Sequence, residues 1–314
     1  MENLVFSLNA TIPIFLLMVL GYVFRRVGLL TETLASGMNT FVFKIALPVL
    51  LFSDLAAVDF AEAWDTRFVL FCFSVTLLCI CLAGGLSYVW RDRSIQGEFI
   101  QAAYRSSAAL LGIAFITNIY GNAGMAPLMI IGSVPLYNIL AVVVLSLFQP
   151  ERRTLDRAVL GKTLRGIVTN PIILGILAGL AWSALRLPMP VILKKTVASL
   201  GSIASPMGLM AMGATFDVRK ALGRSGPALT AAAVKLVGFC AVFLPLAILW
   251  GFRNEKLVAI LVMLGSATTV SSYVMARSMG HDGTLSAATV MLTTLLSAFT
   301  LTFWLWLLRS LGYV

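Results

Sequence analysis

The 314-residue sequence predicts an all-α polytopic membrane protein, with ten transmembrane helices arranged as two inverted repeats of five. Three observations carry that expectation. Hydrophobic residues make up 60% of the chain against 11% charged, and the mean hydropathy is +0.96, outside the range of soluble globular domains. The apolar residues fall into segments of about 20, the length that crosses a bilayer core. The second half of the chain also repeats features of the first half at one constant spacing.

The segments run 5–24, 36–56, 67–90, 98–119, 124–148, 164–185, 190–215, 227–250, 256–279 and 283–309. The loops between them are short. The longest, Gln149 to Leu164, is polar and basic and divides the chain into repeats at 1–157 and 158–314. Pro13 and Pro171, Gly21 and Gly179, and Pro48 and Pro206 are each separated by 158 residues. Five spans per repeat is an odd number, so the copies enter the membrane in opposite senses, a plan common among secondary transporters.

Charge sets the expected orientation. The net charge is +10, but the basic residues are scattered through loops beside apolar spans, which implies insertion topology and no nucleic-acid partner. Loops after odd-numbered spans hold Arg25, Arg26, Arg91, Arg93, Arg152, Arg153, Arg157, Lys162, Arg165, Arg219, Lys220, Arg224 and Arg277. The other loops and the C-terminus hold fewer, so the odd loops are expected in the cytoplasm and both termini outside. Asp54, Asp59, Glu62 and Asp65 read as a solvated cluster on one outer loop, and no Asp or Glu is assigned to a span. Cys72, Cys79, Cys81 and Cys240 fall inside spans with no CxxC or Cys/His pattern, so neither disulfide, metal nor cofactor is expected. The start, Met1-Glu2-Asn3, lacks the basic region of a cleavable signal, so the first span is expected to stay.

Two polar interruptions stand out at mid-membrane depth. One is Gly265-Ser266-Ala267-Thr268-Thr269-Val270-Ser271-Ser272 in span nine; the other is Arg105-Ser106-Ser107-Ala108-Ala109, with Gly112, in span four. Lipid offers backbone groups no partners, so such patches must face protein or a water-filled cavity. Hydroxyls that merely let helices pack closely would explain either patch alone. Two of them, in corresponding positions of the halves, point to a transporter binding site. Tyr137 and Asn138 of span five share their depth, although Asn138 also fits a helix-packing role. The substrate-site candidates are therefore Arg105, Ser106, Ser107, Tyr137, Asn138, Thr268, Thr269, Ser271 and Ser272. Broken helices there would present N-termini that favour an anion.

Lys44, Arg105 and Lys235 are the cations within spans. Each lies roughly 12 Å of helical rise from a cytoplasmic end, a distance long side chains can cover by snorkelling. Arg105 adjoins a break and is the stronger site candidate. His281 is expected in a solvated loop role. With no Walker A sequence, HExxH, or GxSxG with a partner histidine, the chain is not expected to be an enzyme. Gly175-Ile176-Leu177-Ala178-Gly179 reads as a helix-packing face.

The chain resembles a bacterial member of the auxin efflux carrier family, which includes plant PIN proteins and malonate-type carriers. The resemblance spans essentially the whole sequence. It rests on Leu47-Pro48-Val49-Leu50-Leu51-Phe52, on Val134-Pro135-Leu136-Tyr137-Asn138-Ile139-Leu140, on Asn170-Pro171-Ile172-Ile173-Leu174 and on Ser272-Tyr273-Val274-Met275-Ala276. It implies spans four and nine broken and crossing at the substrate site, and a scaffold of spans one, two, six and seven. A mobile transport domain from the other spans, homodimers and elevator-like movement in the cell inner membrane are also implied. Where the family has Asn and Pro in span four, this chain has Ser107 and Ala114, and Thr268 stands near the expected Pro of span nine. The function expected is a carrier of a small organic anion such as a mono- or dicarboxylate. The second class is a membrane binding or sensing protein on a carrier fold.

Overall fold

A computed structural model of the chain describes residues 2–57, 64–108, 113–121, 124–149, 166 and 168–314. Among them there is no β-strand. The helices are α1 (Glu2–Arg26), α2 (Glu32–Ala56), α3 (Thr66–Ser87), α4 (Arg93–Tyr104), α5 (Ile113–Tyr120), α6 (Ala126–Leu147) and α7 (Pro171–Ala184). They continue as α8 (Val191–Thr215), the short α9 (Val218–Gly223), α10 (Ser225–Leu249), α11 (Asn254–Gly265), α12 (Ser271–Ser278) and α13 (Thr284–Ser310). Six of these, α2, α3, α6, α8, α10 and α13, are long and apolar enough to cross a bilayer. All-helical architecture follows from the apolar composition, because a helix satisfies its backbone within one segment.

Local chemistry sets the helix starts. Thr31 Oγ1 accepts from the Leu34 N–H at 3.2 Å, and Asp65 Oδ1 from Phe68 at 3.0 Å. Asn170 Oδ1 accepts from Ile172 at 2.9 Å ahead of Pro171 in the first turn, where a missing N–H costs nothing. α2 and α10 each contain one π-helical turn, Val42–Ala46 and Val234–Gly238, in which the Leu47 and Phe239 N–H groups reach back five residues. Such turns rotate every later side chain relative to an unbroken helix. Each holds a lysine: Lys44 is exposed, whereas Lys235 is 0% exposed.

Glycines bring two helix pairs into backbone contact. A Cβ on Gly21 of α1 would lie 2.2 Å from the Met210 carbonyl of α8, and one on Gly213 1.9 Å from Met18. On α7, a Cβ on Gly175 would meet the Pro48 carbonyl of α2 at 2.5 Å, and one on Gly179 the Phe52 carbonyl at 2.8 Å. The packing face expected from Gly175 and Gly179 is therefore present. Gly21 against Met210 and Gly179 against Phe52 are moreover the same contact, shifted by the 158-residue spacing in opposite directions. α11 lies at the centre, with every residue from Leu257 to Gly265 buried.

Two expectations need correction. Acidic residues do occur within helical segments: Asp54 lies half-buried in α2, and Glu98 in α4 is 0% exposed. The Glu98 carboxylate is stabilised by the N–H groups of Gly283 at 2.8 Å and Ser286 at 2.9 Å, at the start of α13. His281 is buried rather than solvated, its Nε2 2.9 Å from the Leu145 carbonyl. Asp65 caps α3. Asp59, Glu62, Ala109, Gly112, Arg152, Arg153, Arg157, Lys162 and Arg165 lie outside the described residues.

Candidate functional site

α4 ends at Tyr104 and α11 at Gly265, and the chain runs on through each end without helical bonding. The two non-helical stretches meet, and the Ser107 N–H donates to the Ala267 carbonyl at 2.9 Å. Side chains satisfy the backbone groups freed there, as a break inside lipid requires. Thr268 Oγ1 donates to the Ala102 carbonyl at 2.8 Å, and the Thr268 N–H donates to Thr293 Oγ1 at 3.0 Å. Gln101 Nε2 donates to the Ser272 carbonyl at 2.8 Å. The Met263 carbonyl accepts from Ser106 Oγ at 2.5 Å and from Tyr137 Oη at 3.0 Å.

Arg105 is the first residue beyond α4 and is 1% exposed. Its Nη2 donates to Asn138 Oδ1 at 2.7 Å and to Ser271 Oγ at 2.6 Å, and Nη1 sits 2.7 Å from Met275 Sδ. Its Nε has no partner among the described residues. All of these neighbours are neutral, and no carboxylate of the described residues forms an ion pair with Arg105. The guanidinium does not snorkel. A buried charge without a counter-charge is costly, and the arrangement is suited to receive an anion.

A cavity of about 60 Å³ lies beside this guanidinium. The crossing contributes Arg105, Ser106, Ser107, Thr269 and Ser271, and α6 contributes Tyr137 and Asn138. α2 supplies Leu47, Leu51 and Asp54. Seven of the nine site residues expected from sequence thus line one cavity. The other two do not: Thr268 is spent on Ala102 and Thr293, and Ser272 is fully buried away from the cavity. The space is large enough to hold water or a small polar group.

Sequence reasoning missed two polar neighbours of the site. Lys235 Nζ donates to Ser106 Oγ at 2.6 Å and approaches the Leu264 carbonyl at 3.5 Å, so this lysine does not snorkel either. Its charge inside a span was the available signal. Asp54 stands at the edge of the segment 36–56, where falling hydropathy groups it with the acidic loop that follows.

A second, larger cavity of about 730 Å³ opens at one end of the helices. Arg25, Arg26, Arg219, Lys220 and Arg277 line it, with Glu32, Asp217 and Asp282. Tyr273 and Thr215, which also line it, hydrogen-bond through their hydroxyls and so tie α12 to α8. Val270 and Val274, on the same turns of α12, line the inner cavity.

The family model described as "Membrane transport protein" matches residues 6–305. The chain belongs to this family. It is a multi-pass membrane protein of a transporter family and not an enzyme, and the resemblance to auxin efflux carriers holds over nearly its whole length. A protein of Rhizobium meliloti (strain 1021) described as "Putative malonate transporter" is 27% identical over 311 residues, covering 95% of each chain. An "Uncharacterized transporter" of Methanothermobacter thermautotrophicus is 27% identical over 128 residues, 38% of this chain and 40% of that one.

Proposed function

We propose that the protein carries a small organic anion, a mono- or dicarboxylate, across the bacterial inner membrane by elevator-type alternating access. The observation that carries this reading is Arg105, a buried guanidinium held by neutral acceptors, with its Nε free, on the wall of a cavity of carboxylate size. Ser271, the first residue of α12, lines the same cavity with the preceding Thr269 and adds the positive end of a helix dipole. Asp54, which also lines the cavity, penalises a second ionised carboxylate, which favours a monoanion or a singly protonated diacid. The relative described as a malonate transporter makes malonate the first substrate to try.

The wider architecture follows the same reading. The paired glycine contacts and the 158-residue spacing support ten spans in two inverted repeats, with α4/α5 and α11/α12 as the broken spans four and nine. α1, α2, α7 and α8 form the scaffold, the remaining spans form the transport domain, and two copies pair as a homodimer. The basic cavity faces the cytoplasm and both termini lie outside. A cysteine at Arg91 should react with a membrane-impermeant reagent only from the cytoplasmic side, and labelling from outside would reverse the orientation.

Arg105 provides the main test. Guanidinium pairs bidentately with carboxylate and ammonium does not. Arg105→Lys should weaken malonate binding to the purified protein about tenfold, and Arg105→Gln at least a hundredfold, at roughly 1.4 kcal/mol per tenfold. Proteoliposome flux should fall in parallel. Wild-type affinity in Arg105→Gln would remove the anion site from this cavity.

A further inference from the structure

Lys235 does not line the inner cavity, and the proposed anion site makes no use of it. Its ammonium is fully buried, and no carboxylate of the described residues pairs with it. What surrounds it is the C-terminal end of α11. The last helical bond of that segment runs from the Ser266 N–H to the Val262 carbonyl, so the Met263 and Leu264 carbonyls point past the helix without helical partners. Lys235 Nζ lies 3.5 Å from the Leu264 carbonyl and 2.6 Å from Ser106 Oγ. Ser106 Oγ in turn donates to the Met263 carbonyl, which also accepts from Tyr137 Oη.

The Leu264 carbonyl and the Ser106 hydroxyl, at the negative end of a half-helix, are oxygen ligands suited to a monovalent cation. The π-helical turn Val234–Gly238 is what aims Lys235 into it. We infer that Lys235 is a tethered cation: its ammonium takes the place at the end of α11 that a coupling alkali cation would otherwise fill, and the carrier works without one. The same residue gives the crossing a second fixed positive charge, in addition to Arg105. The inference does not depend on which molecule is carried.

Melting of the detergent-purified protein in sodium, potassium and choline chloride at equal ionic strength tests it. The wild type should melt at one temperature in all three salts. Lys235→Ala vacates the ammonium position and leaves the Leu264 carbonyl and the Ser106 hydroxyl, so sodium or potassium should raise its Tm saturably over choline. Lys235→Met fills the space without charge, and should melt below wild type with no alkali-specific response. A saturable alkali response in the wild type would overturn the inference. So would Lys235→Ala that gains no such response or fails to fold in every alkali salt, and so would Lys235→Met melting at the wild-type temperature. Because no readout involves an anion, failure here leaves the proposed carboxylate site standing, and failure of that site leaves this result intact.

Discussion

The crossing of α4 and α11 and the contacts of α1 with α8 and α2 with α7 bring backbones together by opposite means. At the crossing, helices stop, and Ser, Thr, Gln and Tyr side chains take over the freed backbone groups around two buried cations. In the glycine contacts, helices stay intact and approach until a single added methyl would strike a carbonyl. The first kind of contact consists of separate hydrogen bonds worth about 0.5–1.5 kcal/mol each, which can be exchanged for water or ligand one at a time. The second depends on shape along the whole interface and yields only by parting the helices. A carrier needs both, a frame that does not adjust and a site that does.

The largest effect should come from breaking the frame. Gly213→Ala places a Cβ against the Met18 carbonyl, and a backbone atom cannot swing aside. Overpacking of this kind costs about 1–3 kcal/mol, and the double variant Gly21→Ala/Gly213→Ala should lower Tm further. Gly84→Ala on α3 is the control, since no described atom lies within 4 Å of that Cβ. It should be neutral or stabilising by up to about 1 kcal/mol. Equal Tm changes at Gly213 and Gly84 would mean that the glycine contacts are not what fixes the frame.

A smaller effect is expected where site and frame touch. Tyr273→Phe removes the hydroxyl pair that links α12 to α8. Losing about 0.5–1.5 kcal/mol should favour the parted arrangement roughly two- to tenfold. Of the four cysteines, Cys72, Cys79 and Cys240 are buried and Cys81 is exposed, so a Cys81→Ser background suits thiol labelling. In detergent, Ser205→Cys on the inner cavity should react correspondingly faster once Tyr273 is Phe. An unchanged rate would show that the Tyr273–Thr215 link does not hold the cavity closed.

The two regions also differ in how much of each the sequence disclosed. Depth along a span is legible, because hydropathy reports where a residue sits between the two interfaces. Thus the Gly/Ser/Thr breaks, and the grouping of Arg105, Tyr137 and Asn138 around one cavity, could be read directly. Azimuth is not legible in the same way. Lys44 and Lys235 have similar depth and both sit in π-helical turns, yet one is exposed and the other buried at the crossing. Only the neighbouring helices distinguish them. Thr268 and Ser272 fail for the same reason, since they share the depth of the cavity but face other helices. Glu98 and Asp54 escaped because they stand at the edges of the segments 98–119 and 36–56, where falling hydropathy marks a span's limit, although the helix around Glu98 begins earlier, at Arg93.

The smallest effect concerns a charge pair at the rim, and it sharpens the contrast with the buried cations. Asp65 caps α3, and its Oδ2 lies 2.5 Å from Lys256 Nζ of α11, with both side chains partly exposed. The Lys256 ammonium holds the Asp65 carboxyl below the usual carboxylate range, although partial burial opposes this. A carboxyl with a lowered folded-state pKa contributes stability that is complete above its unfolded value, near about 3.9, and is lost as pH falls through the folded value. Solvent screening limits the contribution to at most about 1 kcal/mol. Asp65→Asn keeps a capping oxygen and removes only the charge. Its Tm should lie slightly below wild type at neutral pH, and the gap should close as pH drops below about 4 or as salt is added. A gap that stays constant through both changes would assign the difference to the helix cap. The charge pair would then contribute nothing measurable to holding α3 against α11.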